Sequence, residues 1–359
     1  MPARARGRRP HTGSVRSVPR RRPTGLLLAA ALAAATAFPL AATAQPPALG
    51  GCPLFPADNV WNARVDSLPL DPRSDAYVAS IGATTGLHPD FGADPTYGIP
   101  YVVVPAGQPR VPVSFGYPDE SDPGPYPIPP TAPIEGGAGS NGDRHVLIVE
   151  QGACQLYELF AAYPQVDGSW RAGSGAVWDL RSNLLRPDGW TSADAAGLPI
   201  LPGLVRHEEV AAGAIEHALR FTAVRTRKAH VWPARHDASS SVDPNVPPMG
   251  QRFRLKASFD LSGFSRETRV MLRAMQIYGL VLADNGSNWY VSGTSDGAWN
   301  NDVLNPELRR VRGADFEAVD TSSLRVGPDT GQVAGAAPLP TATPDPRLTR
   351  RGYVPWLPR

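Results

Sequence analysis

His145-Val-Leu-Ile-Val-Glu150, followed by Gln151-Gly152-Ala153 and then Cys154-Gln-Leu-Tyr-Glu-Leu-Phe160, is the stretch that decides the fold class. Two apolar, β-rich runs joined by a glycine-bearing turn predict a β-hairpin. Working outward, similar short runs recur at Tyr101–Val104, Gly175–Leu180, Ala229–Trp232, Gln251–Lys256 and Leu280–Ala283. The last of these leads through Asp284-Asn285-Gly286 into Trp289-Tyr-Val-Ser292, which predicts a second hairpin about an Asn-Gly turn.

Two helices are expected among the strands. One follows Glu208-Glu209 with Val210, Ala214, His217, Ala218 and Phe221 on a stripe. The other opens at Ser265-Arg266-Glu267, carries Val270, Ala274 and Tyr278, and stops at Gly279. Forty prolines and 35 glycines punctuate the chain too often for a helical bundle. The expected fold is mainly β with a few helices, a single large β-sandwich or jelly-roll-like domain.

The ends read differently. Residues 1–44 hold an arginine-rich lead, an apolar run over 26–40 broken by Pro39, and Ala42-Thr43-Ala44, the order of a secretory signal peptide cleaved near Ala44-Gln45. The run is shorter than the roughly 20 residues a membrane-spanning helix needs. Residues 45–325 form the β-rich domain, and 326–359 read as a Pro/Thr/Ala-rich disordered tail. Within the domain, Gly116 to Gly142 carries seven prolines and a Gly-Gly-Ala-Gly run, a loop long enough to be functional or disordered.

Charge narrows the partners. The full chain carries +2, and residues 1–44 contain eight arginines and no Asp or Glu, so the remainder is near −6. A mildly acidic exported chain lacks the basic footprint of a nucleic-acid binder or an anionic-membrane binder. Its two cysteines, Cys52 and Cys154, are expected to form one disulfide. Leu49-Gly-Gly-Cys52 has the look of a lipid-attachment box, but Pro46-Pro47 separates it from the apolar run, which disfavours a lipid anchor.

There is no His-Glu-x-x-His, no phosphate-loop Gly-Lys-Ser/Thr and no Cys-x-x-Cys. The chemistry is therefore sought in weaker constellations. Glu158 alternates onto the same strand face as Leu156 and Phe160, where a carboxylate has a raised pKa suited to a general acid. Asp179, after Val177-Trp178, is a similar case, and the two form the expected carboxylate pair for cleavage of a glycosidic bond. Asp194 in the loop 188–203, His217 and His236 are the expected supporting catalytic groups. Trp178, Trp190, Trp232, Asp284, Asn285 and Trp289 supply the aromatic and polar texture that sugars require. A divalent metal at His230, His236 and Asp237 is the weaker reading; no cofactor is expected.

The stretch Trp190-Thr-Ser-Ala-Asp-Ala-Ala-Gly-Leu-Pro-Ile-Leu-Pro-Gly-Leu-Val-Arg206, continued by Gly213-Ala-Ile-Glu-His-Ala-Leu-Arg-Phe221, resembles segments of a family of uncharacterised secreted bacterial proteins. The resemblance extends over most of residues 52–320 and implies no activity, so no site residue is carried over. The expectation is a secreted, monomeric, polysaccharide-active glycoside hydrolase, with a non-catalytic carbohydrate-binding or cell-surface protein and a metal-dependent hydrolase as rivals.

Overall fold

The computed structural model describes residues 46–334. The expected signal peptide therefore lies outside the described residues. The mainly-β expectation holds: short strands in five sheets, with four α-helices.

The decisive hairpin forms as read, Val146–Glu150 pairing antiparallel with Gln155–Phe160. It lies at the centre of a four-stranded sheet ordered Ser174–Asp179, Gln155–Phe160, Val146–Glu150, Tyr101–Val104. Alternation sends Leu147, Val149, Leu156, Ala176 and Trp178 to one face. Val146, Ile148, Tyr157 and Leu159 pack on the other with Tyr126 and Ile128 of the proline-rich loop.

A six-stranded mixed sheet is ordered Phe316–Val319, Arg252–Leu255, Leu280–Asn285, Leu219–Ala223, Tyr290–Ser292, His88–Asp90. One face is covered by helices α1 (Ser74–Ile81), α2 (His207–Ala212), α3 (Arg266–Ile277) and α4 (Asn301–Leu308). The other face presents Val281 and Ala283 to the core that also holds Leu147, Leu156 and Trp178. Ala196, Leu198, Ile200, Leu201 and Leu204 belong to this core too, so the 193–204 segment fills the layer between the two larger sheets. A layer shared in this way is compatible with a sandwich.

Helix α3 starts where expected, with the Ser265 side chain accepting the Thr268 N–H. The helix expected from Val210 to Phe221 does not run that far. Gly213, at φ +100°, takes the left-handed position that ends α2 after Ala212, and Leu219–Ala223 is a strand. The second hairpin does not form either. Leu280–Asn285 pairs in parallel with Leu219–Ala223, and Tyr290–Ser292 pairs with the opposite edge of that same strand. The Asn-Gly turn instead crosses the end of Leu219–Ala223, where Gly286 N–H donates to Ala223 O at 3.1 Å.

Cys52 and Cys154 are joined, with Cα atoms 5.3 Å apart, which engages the sulfur a lipid anchor at Cys52 would need. Closing a loop of 102 residues contributes about 4–5 kcal/mol by loss of unfolded-chain entropy. The ordered domain also runs past the expected boundary at Arg325. Val60 N–H donates to Gly331 O at 2.8 Å, Asn59 bridges Gln332, and Val333 is buried. Among the described residues no helix is long and apolar enough to cross a membrane.

Candidate functional site

The 193–204 segment is held by charges buried beneath it. Glu158 is fully buried and accepts Ile200 N–H at 2.9 Å and Leu201 N–H at 2.9 Å. Burial raises its pKa to about 7 against the pull of those two backbone donors. It lines none of the cavities described below. Asp179 aligns with Gln155, whereas Glu158 aligns with Ala176, so the two carboxylates point to opposite faces of the sheet. The expected pair therefore cannot flank one bond. Glu158 anchors the segment, and Asp179, exposed, accepts Arg181 N–H at 2.9 Å.

Asp194 is fully buried at the start of that segment, and Arg220 reaches it from the six-stranded sheet. Arg220 Nε and Nη2 donate to the two Asp194 oxygens at 3.1 and 2.9 Å, and Nη1 donates to Ser292 Oγ at 2.6 Å. A third group joins through a β-bulge. Phe221 pairs with Leu282 but Thr222 pairs with Asp284, so one extra residue turns the Asp284 carboxylate to within 3.8 Å of Arg220. Burial and the neighbouring Asp194 carboxylate push Asp284 up to about 8 despite Arg220, leaving it protonated at neutral pH.

A second pair faces this cluster. His145, buried at the start of the decisive strand, shares 2.6 Å with Glu135 through Nδ1, and its Nε2–H donates to Ala193 O at 3.0 Å. Both ring nitrogens thus carry hydrogens and the ring is an imidazolium. Burial alone would lower the His145 pKa, but Glu135 outweighs it and raises it to about 9. Burial likewise works to raise Glu135, and the imidazolium outweighs it and holds the carboxyl below its ordinary value. His145 acts electrostatically on Asp284 and Arg220 acts on Glu135, so the two pairs form one cluster.

Above the cluster lies a cavity of about 360 Å³ lined by Asp284, Asp194, Asp143, Glu120, His236 and Tyr117, with Ser174, Phe160 and the 191–195 turn among its walls. Glu120 fixes one rim by accepting Thr191 N–H at 3.1 Å. The turn itself is tied by Ser192, whose Oγ accepts Asp194 N–H at 2.9 Å, and by Ser174 Oγ–H donating to Ser192 O at 2.6 Å. His236 Nδ1–H donates to Ala195 O at 2.8 Å, which leaves Nε2 as the ring's basic nitrogen.

Comparison with family models, curated proteins and solved structures gave no match.

Of the residues singled out from the sequence, Asp194, His236, Asp284 and Asn285 meet at this cavity. The others do not. His217 is buried off the helix, its Nε2 3.1 Å from Glu209 and Nδ1 2.8 Å from Ala218 O. Trp289 is a core residue packed against Phe221, Phe253 and Phe316, and Trp178 is buried beside Phe55. Trp190 is half-buried under Arg186, and Trp232 donates through Nε1 to Thr330 O at the wall of a different cavity. His230 lies beside Trp232 at that cavity, 3.1 Å from Asp188 and 3.4 Å from Asp237, away from the one His236 lines. The expected metal set is not assembled, and no group of three or more His, Cys, Asp or Glu suited to a metal occurs among the described residues.

Gly293-Thr-Ser-Asp-Gly297 has the spacing of a hydrolase nucleophile elbow, but its one neighbouring histidine, His207, is 4.0 Å from Asp296 and not bonded to Ser295. Glu135, Asp143, His145 and Arg220 were not singled out. The sole sequence signal for Glu135 was its place in the long irregular loop, and for Arg220 a cation amid Leu219, Phe221 and Ala223.

Proposed function

We propose that the protein is a secreted enzyme that hydrolyses glycosidic bonds of a polysaccharide at the cavity between the two sheets. One observation carries the reading: four carboxyl-bearing residues, Glu120, Asp143, Asp194 and Asp284, converge on one cavity whose surroundings push Asp284 up. A site that holds Asp284 protonated on the same lining as the exposed Asp143 has an acid and a base available at one pH. The disulfide fits work outside the cytoplasm.

In this mechanism Asp284, neutral near pH 7, donates its proton to the glycosidic oxygen as the bond breaks. The leaving sugar departs as an alcohol and positive charge develops at the anomeric carbon. Asp143, an exposed carboxylate on the same lining, attacks that carbon or takes a proton from the water that does. His145 and Glu135 form an ion pair off the cavity lining. Burial and Asp194 keep Asp284 protonated against the pull of Arg220, and Asp194, with both oxygens occupied by Arg220, is a positioning residue.

The test is to incubate the purified protein with plant, fungal and bacterial polysaccharides and follow new reducing ends alongside unsaturated-uronate absorbance. Reducing ends without ultraviolet absorbance, lost in both Asp284→Asn and Asp143→Asn, are expected. Absorbance in place of simple hydrolysis would make the reaction an elimination, and full activity in both variants would remove these residues from the chemistry.

A further inference from the structure

A second cavity of about 490 Å³ opens beside the first and shares two of its walls, Tyr117 and Phe160. Its remaining lining includes Phe115, Tyr163 and Arg171. The two cavities follow one backbone path, since Ser174 lines the first while Ala172 and Gly173 line the second. Tyr117 stands where they meet and is 58% exposed, a large ring left in water although many other aromatic residues here are buried. Its backbone is not loose: Tyr117 N–H donates to Gly173 O and Gly116 N–H to Ala172 O, both at 2.9 Å. The ring is therefore presented from a fixed point, as a stacking platform for a sugar must be.

Charge distinguishes the two cavities. The first is walled by Glu120, Asp143, Asp194 and Asp284 and has no Lys or Arg on its lining. The second contains no carboxylate, and its one charged residue is Arg171. Arg171 has its guanidinium carbon 5.3 Å from the centre of the Tyr163 ring and forms no ion pair among the described residues. A planar cation held on an aromatic face, exposed and without a counter-ion, suits bidentate recognition of a carboxylate or sulfate.

Resting on the glycan reading of the first cavity, we infer that the substrate is an acidic oligosaccharide bound in two places: a neutral sugar in the carboxyl-rich cavity, and a neighbouring sugar bearing a carboxylate or sulfate stacked on Tyr117 and paired with Arg171. An anionic group in the first cavity would meet four carboxyl-bearing residues, and in the second it meets a free arginine.

The test is calorimetric titration of the full chain with length-matched neutral, uronate-containing and sulfated oligosaccharides, at low and high salt, for the unaltered protein, Arg171→Gln, Arg171→Lys and Tyr117→Ala. Acidic ligands should bind roughly tenfold or more tightly than neutral ones at low salt, and the preference should shrink as salt screens it. Arg171→Gln should abolish the preference, Arg171→Lys should keep the salt dependence with weaker binding, and Tyr117→Ala should weaken every ligand about tenfold. The uronate and sulfate arms tell which anion is preferred. Neutral and acidic ligands binding alike, with Arg171→Gln silent, would overturn this inference and leave the hydrolase reading standing. No binding by any oligosaccharide, in a protein whose thermal transition is normal, would overturn both.

Discussion

The two faces of the six-stranded sheet are built on different principles. Toward the helices, Trp289 packs against Phe221, Phe253 and Phe316 with ring centres 5.1–5.7 Å apart, and the layer is a continuous apolar core. Toward the other sheet, the same strands send Arg220 and Asp284 into contact with Asp194, near His145 and Glu135. Apolar packing is stabilising in its own right, whereas desolvated ions roughly break even at best. The contrast teaches that the helix side is a continuous apolar core, whereas the inter-sheet core around Leu156, Val281 and Ala283 also takes in a cluster of buried charges.

The sharpest way to break the comparison is Asp284→Asn. Loss of the proposed general acid should lower kcat about 10²- to 10⁴-fold, with the thermal transition retained, and assay on a cleaved glycan beside calorimetry reads both. A variant that loses folding along with activity would erase the distinction.

On the helix side, Trp289→Ala should lose about 3–5 kcal/mol in denaturant unfolding, because a large buried ring leaves a cavity. In any fraction that remains folded, activity should be near normal.

Asp194→Ala should cost about 3–5 kcal/mol by stranding the buried Arg220 cation. The double variant Asp194→Leu with Arg220→Met should regain much of that stability and none of the activity. Recovery of activity as well would mean that the ion pair serves packing alone.

A further effect is in pH. A carboxyl raised in the folded state, like Asp284, contributes stability that is fully present below its unfolded value near 4 and is lost as pH rises through about 8. The melting temperature should therefore fall across that window, more gently in Asp284→Asn. Catalysis should fall on the alkaline side through the same value, as the acid loses its proton.

Local pattern made part of this legible. Strict alternation in Cys154–Phe160 placed Glu158 inside, and the Ser265 cap and Gly279 stop framed α3. What alternation could not reveal was the partner. Glu158 was readable as a buried carboxylate, but that its donors are the backbone of residues 200 and 201 depends on a contact more than 40 positions away. The bulge at Thr222/Asp284 reverses the face that period-2 counting assigns, so Asp284 was legible as a polar turn residue and not as a member of the Arg220 cluster. Gly213 carried a stop signal, but the apolar spacing through Phe221 overrode it in the reading although not in the fold. Glu135 sits where neither period applies, and only its ion pair with His145 reveals it.

One further consequence lies in the segment beyond Arg325. Gln332 donates to Asp58 at 2.7 Å across 274 positions of sequence, and Asp329 pairs with Arg235. Contacts so distant along the chain make ring closure slow, because loop entropy is lost before any contact repays it. The Asn59 edge is completed only when residues 331–333 pack against it. A chain emerging vectorially, whether from a ribosome or through a translocation pore, would thus remain pliable until residue 333 is free, and removing residues 326–334 should leave the domain open to proteases at its Asn59 edge.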